Sequence, residues 1–207
     1  MSELNIGVLA IQGDVEENVR FTQNALEELE INGKVQTVKT PEQISELDGL
    51  IIPGGESTMI GQLSLINGSL KKIKEKIEGG MPVFGICAGL ILLSKEAKDR
   101  IVGTTDQPLL ELLDVHVERN SFGRQKESFE ANVEMSSINI PKFNGVFIRA
   151  PTIIEVGDNV ETISKFNDEI IAVKQNNILA TAFHPELTSD VSLHKYFLNM
   201  TKQTKEN

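Results

Sequence analysis

Four short apolar runs, each followed by turn or helix-forming sequence, constrain the fold of this chain more than any other feature. "LNIGVLAI" (residues 4–11) is nearly continuous, rich in branched residues and ended by Gly13, the pattern of a strand buried on both faces. "DVEENVRFTQNALEELEI" follows, with Val15, Val19, Ala25, Leu26 and Leu29 at helical spacing. Asp14 reads as its N-cap, with Glu17 as capping-box partner, and Asn32-Gly33 as its end. "KVQTV" is a second strand. "TPEQISEL" is a short helix with Thr40 as cap, Pro41 in the first turn and Gln43 closing the box. "DGLII" runs into the glycine turn "PGGES", and helical sequence continues through Glu78. "MPVFGIC" is the fourth strand, and "AGLILLSKEA" is read as a helix starting directly after it. Strand and helix in alternation imply a parallel α/β sheet with right-handed crossovers.

From about Val115 the periodicity changes. "VHVERN", "SFEANVEM", "GVFIRA", "TIIEV", "ETISKF", "EIIAVKQ" and "ILATAFH" are strand-like and separated by short turns, and "SDVSLHKYFLNMTK" is a terminal helix. The expected architecture is therefore a mostly parallel central sheet flanked by helices, with antiparallel strands added in the second half. No linker-like or low-complexity run divides residues 1–207, so one domain is expected, its last few residues a disordered tail.

Composition excludes several function classes. A net charge of −10 argues against nucleic acid or an anionic membrane as main partner. No apolar run approaches the ~20 residues that cross a bilayer, and the N-terminus lacks the basic region of a signal peptide. The lone cysteine forms no internal disulfide. A cytoplasmic location is expected. One Cys and three scattered His make no His/Cys metal site, no Walker lysine or G-x-G-x-x-G occurs, and no cofactor is expected.

Ligands of open α/β sheets bind beyond the carboxyl ends of the strands, where this chain carries "PGGES" and "GICAG". Gly-x-Cys-x-Gly at a strand-to-helix junction has the form of a nucleophile elbow. The turn is tight enough that side chains at positions 85 and 89 would collide, so both are glycine. Cys87 would sit at a helix N-terminus, which favours a thiolate, and the Ala88 amide would point to where an oxyanion forms. By itself the elbow leaves two readings open, a nucleophile or a small buried hydrophobe. A thiolate nucleophile needs a base, and the base an orienter. His116 within a strand and His194 on the terminal helix read as structural or exposed. His184 ends an apolar strand, is followed by Pro185, and lies two residues from Glu186, a carboxylate able to fix its tautomer. Gly54-Gly55 reads either as a simple turn or as an approach for backbone amides to an oxyanion.

"PGGES", "GICAG" and "HPE", in that order, resemble the triad-type class I glutamine amidotransferases. "QGDV", "VERNSFGRQ" (117–125), "FIRAP" (147–151) and "FHPELT" narrow the resemblance to the glutaminase subunits of pyridoxal 5'-phosphate synthases, from Ile6 to the terminal helix. The resemblance implies a flavodoxin-like amidotransferase fold and hydrolysis of L-glutamine to glutamate and ammonia through a glutamyl thioester. It implies Cys87 as nucleophile, His184 as general base and acid, and Glu186 as orienting carboxylate. Gly55, Glu56, Ser57, Arg119, Ile148 and Arg149 would hold glutamine, with the Gly55 and Ala88 amides as oxyanion hole. Which arginine meets the substrate carboxylate stays open. The implied partner is a (β/α)8-barrel synthase subunit that takes the ammonia, with the turn at Gly54-Gly55 misaligned until it docks. The alternatives are a glutaminase serving another synthase, an elbow-cysteine peptidase or glyoxalase, and a non-catalytic binding module. Peptidases and glyoxalases often place His directly after the Cys, where this chain has Ala88.

Overall fold

The structure, a computed structural model, describes residues 3–99, 103, 104, 106–119, 121 and 128–207. Along the first half, β1 (Leu4–Leu9), α1 (Val15–Glu28), β2 (Gly33–Val38), α2 (Pro41–Ser45) and β3 (Gly49–Ile52) alternate as the periodicity predicts. They are followed by α3 (Ser57–Ile66), α4 (Ser69–Glu78), β4 (Val83–Ile86) and α5 (Ala88–Leu93). The second half contributes β5 (Ser94–Asp99), β6 (Gly103–Thr104), β7 (Leu113–Arg119), β8 (Phe129–Met135) and β9 (Ile140–Phe147). β10 (Thr152–Val156), β11 (Glu161–Phe166), β12 (Glu169–Gln175), β13 (Ile178–Thr181) and α6 (Ser192–Glu206) complete the chain.

Among the described residues an 11-stranded sheet runs β2-β1-β3-β4-β13-β12-β10-β7-β5-β6, with β11 beside β12. The first five of these strands are mutually parallel, and β3 and β4 are buried at every position, as strands covered by helices on both faces must be. β12 and β10 then pair antiparallel, while β5 and β7 return to parallel pairing. The sheet is thus the mostly parallel one expected, extended by antiparallel strands.

One pairing matters more than the others for the site. β13, from the far end of the chain, inserts beside β4 with Thr181 opposite Ile86, and Cys87 N donates to the Thr181 carbonyl at 2.8 Å. The ends of two sequence-distant strands therefore meet. A separate hairpin, β8-β9, is locked by stacked Phe129 and Phe147 rings, 4.7 Å apart and 7° from parallel. His184 N donates to the Val146 carbonyl at 2.8 Å, fastening that hairpin to the chain just beyond β13.

Three local readings are corrected. The helix expected over "AGLILLSKEA" ends at Leu93; Ser94 turns extended (ψ 157°), its hydroxyl donates to the Ile91 carbonyl at 2.7 Å, and β5 begins. What makes residues 94–99 a strand is their parallel pairing with β7, with Ser94 opposite Leu113 and Asp99 opposite Arg119. Asp14 precedes α1 as expected, but its side chain makes no cap hydrogen bond. α6 runs on to Glu206, through most of the stretch expected as a tail. At α2 the reading holds: Thr40 N donates to Gln43 Oε1 at 3.2 Å. Among the described residues no helix is long and apolar enough to cross a membrane.

Candidate active site

The turn from β4 into α5 is where backbone geometry first departs from the ordinary. Cys87 sits at φ 50°, ψ −96°, a conformation that L side chains rarely adopt, and such strain costs on the order of 1–3 kcal/mol. The two flanking glycines have the steric role their spacing suggests. A Cβ on Gly85 would lie 2.8 Å from the Gly89 carbonyl carbon, and one on Gly89 would run into the Ile52 carbonyl oxygen on β3. The elbow is therefore wedged against the neighbouring strand and cannot relax outward. Cys87 is 7% exposed, and Ala88, buried beside it, starts α5 with its amide unused by the helix's own ladder.

His184 lies just past β13 and is 4% exposed. Its Nδ1 is 2.8 Å from Glu186 Oε1, and Glu186 is fully buried in the short 3-10 turn that Pro185 opens. An acceptor at Nδ1 fixes the hydrogen on that nitrogen and leaves Nε2 as the nitrogen available to Cys87, which lines the same cavity. Burial pulls the His184 pKa down, but hydrogen bonds to Asp14, Cys87 and Glu186 and the attraction of the Cys87 sulfur outweigh it, and the imidazole is pushed up to about 12. The ring is held as an imidazolium against the sulfur. A Cβ on Gly54 would strike His184 Cε1, so that glycine makes room for the ring.

These groups open into a cavity of about 340 Å³. Gly55, Glu56, Ser57, Arg119, Ile148 and Arg149 all line it together with Cys87 and His184, so the structure brings the expected glutamine-binding set to one place. Ala88 and Glu186 stand behind the wall. Asn120 and residues 122–125 of the "VERNSFGRQ" stretch lie outside the described residues.

The sequence of residues 8–203 matches the SNO glutamine amidotransferase family. The chain belongs to that family. It is 60% identical over 201 residues to the pyridoxal 5'-phosphate synthase subunit PdxT of Nitrosopumilus maritimus (strain SCM1), covering 97% of this chain and 98% of that one. It is 45% identical over 199 residues to the subunit of the same name from Saccharolobus solfataricus, covering 96% and 100% of the two chains. A crystal structure of a glutamine amidotransferase superposes with a TM-score of 0.83 at 43% identity, covering 95% of this chain and 98% of the other.

In this amidotransferase the cavity wall around Glu56 and Arg119 is built from a polar network that the motifs reach only in part. Glu56 caps α3, accepting from Thr58 N at 3.1 Å and Met59 N at 2.7 Å. Burial would raise the Glu56 carboxyl, but these bonds and the Arg119 charge outweigh it and hold it below the usual carboxylate range. Arg119 donates through Nη1 to Thr58 Oγ1 (2.9 Å) and Gln107 Oε1 (2.7 Å), and through Nη2 to Glu56 Oε1 (3.1 Å). Gln107 was not foreseen. Its oxygen also accepts from Ser57 and Thr58 hydroxyls at 3.1 and 3.0 Å, tying the loop before β7 to the start of α3. A lone glutamine ahead of Pro108 in a loop carries no pattern that would single it out.

Gln12 was likewise visible only as part of "QGDV". Its Oε1 accepts from Glu56 N at 2.7 Å, and Asp14 N donates to the Gly54 carbonyl at 3.1 Å. The loop after β1 thereby clasps the "PGGE" turn. Gly55, at φ 152°, has no space for a Cβ because Gln12 Oε1 and Gly13 Cα occupy it.

Proposed function

We propose that this chain is the glutaminase subunit of a pyridoxal 5'-phosphate synthase, working in the cytoplasm as one catalytic domain and passing ammonia to a (β/α)8-barrel synthase subunit. The observation that carries the chemistry is the meeting of Cys87, His184 and Glu186 at the adjacent ends of β4 and β13. The names of the relatives support the partner.

Cys87 sulfur, giving its proton to His184 Nε2, attacks the side-chain amide carbon of L-glutamine. The carbonyl oxygen takes up the negative charge against the Gly55 and Ala88 amides, donors that stabilise a developing oxyanion by about 3–4 kcal/mol each in comparable sites. Collapse of the intermediate breaks the C–N bond. Imidazolium Nε2 gives its proton to the departing nitrogen, which leaves as ammonia. A water then attacks the glutamyl thioester, losing its proton to Nε2, and glutamate departs as the sulfur is restored. Glu186 keeps Nδ1–H in place throughout and stays ionised. Gly55, Glu56, Ser57, Arg119, Ile148 and Arg149 hold the substrate. The guanidinium groups of Arg119 and Arg149 suit an α-carboxylate and the Glu56 carboxylate suits an α-ammonium.

Ammonia released to bulk water at neutral pH would be protonated and lost as a nucleophile, so the acceptor subunit covers the cavity mouth during turnover. The turn at Gly54-Gly55 completes its alignment on docking. Glutamate release should be measured with and without the barrel synthase, for wild type and Cys87→Ala. Wild type should be weak alone and at least tenfold faster in the complex, and the variant inactive in both. Activity persisting in Cys87→Ala would overturn the mechanism, and indifference to the synthase would overturn the subunit assignment.

A further inference from the structure

Asp14 occupies the position from which an aspartate ordinarily caps a helix, and it does not cap. At φ −80°, ψ 60° its backbone turns the carboxylate away from α1, and Oδ2 comes within 3.3 Å of His184 Nδ1. That is the same ring nitrogen that Glu186 Oε1 meets at 2.8 Å. Two carboxylates from opposite ends of the chain thus converge on one N–H. They differ in setting: the Glu186 side chain is fully buried, whereas that of Asp14 is 39% exposed and lines the cavity.

The placement is built rather than incidental. Asp14 N donates to the Gly54 carbonyl at 3.1 Å, and Asn18 Nδ2 donates to the Asp14 carbonyl at 2.8 Å, fixing the backbone on both sides of the carboxylate. A Cβ on Gly54 would lie 3.0 Å from Asp14 Oδ2 and inside the His184 ring, so the missing side chain there opens the gap in which the two meet.

Building on the catalytic reading given above, we infer that Asp14 is a second positioning carboxylate for His184, stabilising the imidazolium that exists between removal of the proton from Cys87 and its delivery to the departing nitrogen. Asp14 takes no proton itself. Its negative charge lowers the energy of the charged ring and limits how readily the ring gives its proton away. The titratable groups facing His184 are Glu186 from the turn after β13, Asp14 from the head of α1 and Cys87 from the elbow. Glu56, Arg119 and Arg149 line the same cavity. The hydrogen bond to Asp14 is among the interactions that raise the His184 pKa.

Asp14→Asn keeps the shape and removes the charge, and asparagine remains compatible with the helix start. In the complex with the synthase subunit, kcat should fall by roughly three- to thirtyfold while KM stays within about twofold. The ring itself should be titrated by NMR in a Cys87→Ala background, with and without Asp14→Asn, which removes the coupling to the sulfur. The His184 pKa should drop by at least about half a unit on loss of Asp14, a shift that a merely structural residue would not cause. An unmoved His184 pKa overturns the inference. A raised KM with unchanged kcat and ring pKa also overturns it, and assigns Asp14 to the substrate's ammonium instead. If Cys87→Ala alone retains glutaminase activity, the failure belongs to the catalytic reading and not to Asp14.

Discussion

Glu186 has one oxygen on His184 and a second, Oε2, that is buried without a hydrogen-bond partner. A buried carboxylate left half satisfied is a poor contributor to stability, which points to a function for its charge. Glu186→Gln preserves volume but presents a neutral amide to Nδ1, so the ring loses the nearer and fully buried of its two carboxylate partners. Glutaminase kcat in the complex should fall by up to about 10⁴-fold, the loss that follows when a comparable triad carboxylate is neutralised. Thermal unfolding should show the variant folded. Cys87 carries a second residue-scale prediction. Its φ of 50° strains any side chain bearing a Cβ, and glycine alone is relieved of that strain. Cys87→Gly should therefore unfold at higher denaturant than Cys87→Ala, by roughly 0.5–2 kcal/mol, although both are catalytically dead. Equal midpoints would mean that the elbow stores no strain at its nucleophile.

At the scale of elements, the elbow depends on how close α5 comes to β3. Gly89 lies within α5, where alanine would ordinarily be favoured over glycine by about 1 kcal/mol. Here a Cβ would drive into the Ile52 carbonyl, a backbone atom of a central strand that cannot swing aside. The clash should reverse the sign. Gly89→Ala is expected to destabilise the protein by more than about 1 kcal/mol in chemical denaturation and to displace Cys87. This packing was legible in the sequence because few structures besides a tight strand-to-helix turn require Gly-x-Cys-x-Gly at the end of an apolar run. The alternation from β1 to β4 was legible for a similar reason, since strands buried on both faces leave continuous apolar runs that few other elements imitate. Legibility failed where one local pattern served two structures. "LILLSKEA" satisfies a helix as well as a helix ending at Leu93 with a strand after it, and only the pairing of β5 with β7 decides. Asp14 failed in the same way: an aspartate before a helix is nearly always a cap, and nothing local records that β13 brings His184 to within 3.3 Å of it. The proposed triad could be read from motifs, but the Gln107 and Gln12 contacts exist only once distant loops are folded together.

Across the whole molecule, two histidines on different layers bend the pH dependence of stability in opposite directions. His194 is fully buried between α1 and the sheet, with the Phe21 and Phe84 rings 5.5 and 5.6 Å away and Nε2 3.3 Å from Asn18 Oδ1. Burial pushes its pKa down to about 3 from an ordinary 6.5. Below pH 6.5 the unfolded chain therefore binds a proton that the folded chain refuses, and stability falls as pH drops from 6.5 towards 3. His184 has the opposite sign. Its folded pKa is raised to about 12, so its contribution is complete below 6.5 and is lost as pH climbs from 6.5 to about 12. Both slopes lead downward from near pH 6.5, and the first belongs to packing while the second belongs to the active site. Glu56, held below its ordinary 4.5, adds a loss that begins as pH falls below that value and overlaps the acid end of the His194 window. The contributions separate by mutation. His194→Gln keeps a donor for Asn18 and removes the titration, so its melting temperature should fall less between pH 6.5 and 4 than that of wild type while its alkaline decline is unchanged. His184→Gln should do the reverse, flattening the alkaline side and leaving the acid side intact. Calorimetric scans of both variants over pH 4–10 would test the assignment, and an acid limb unaltered in His194→Gln would place the acid sensitivity in the carboxylates rather than in the core.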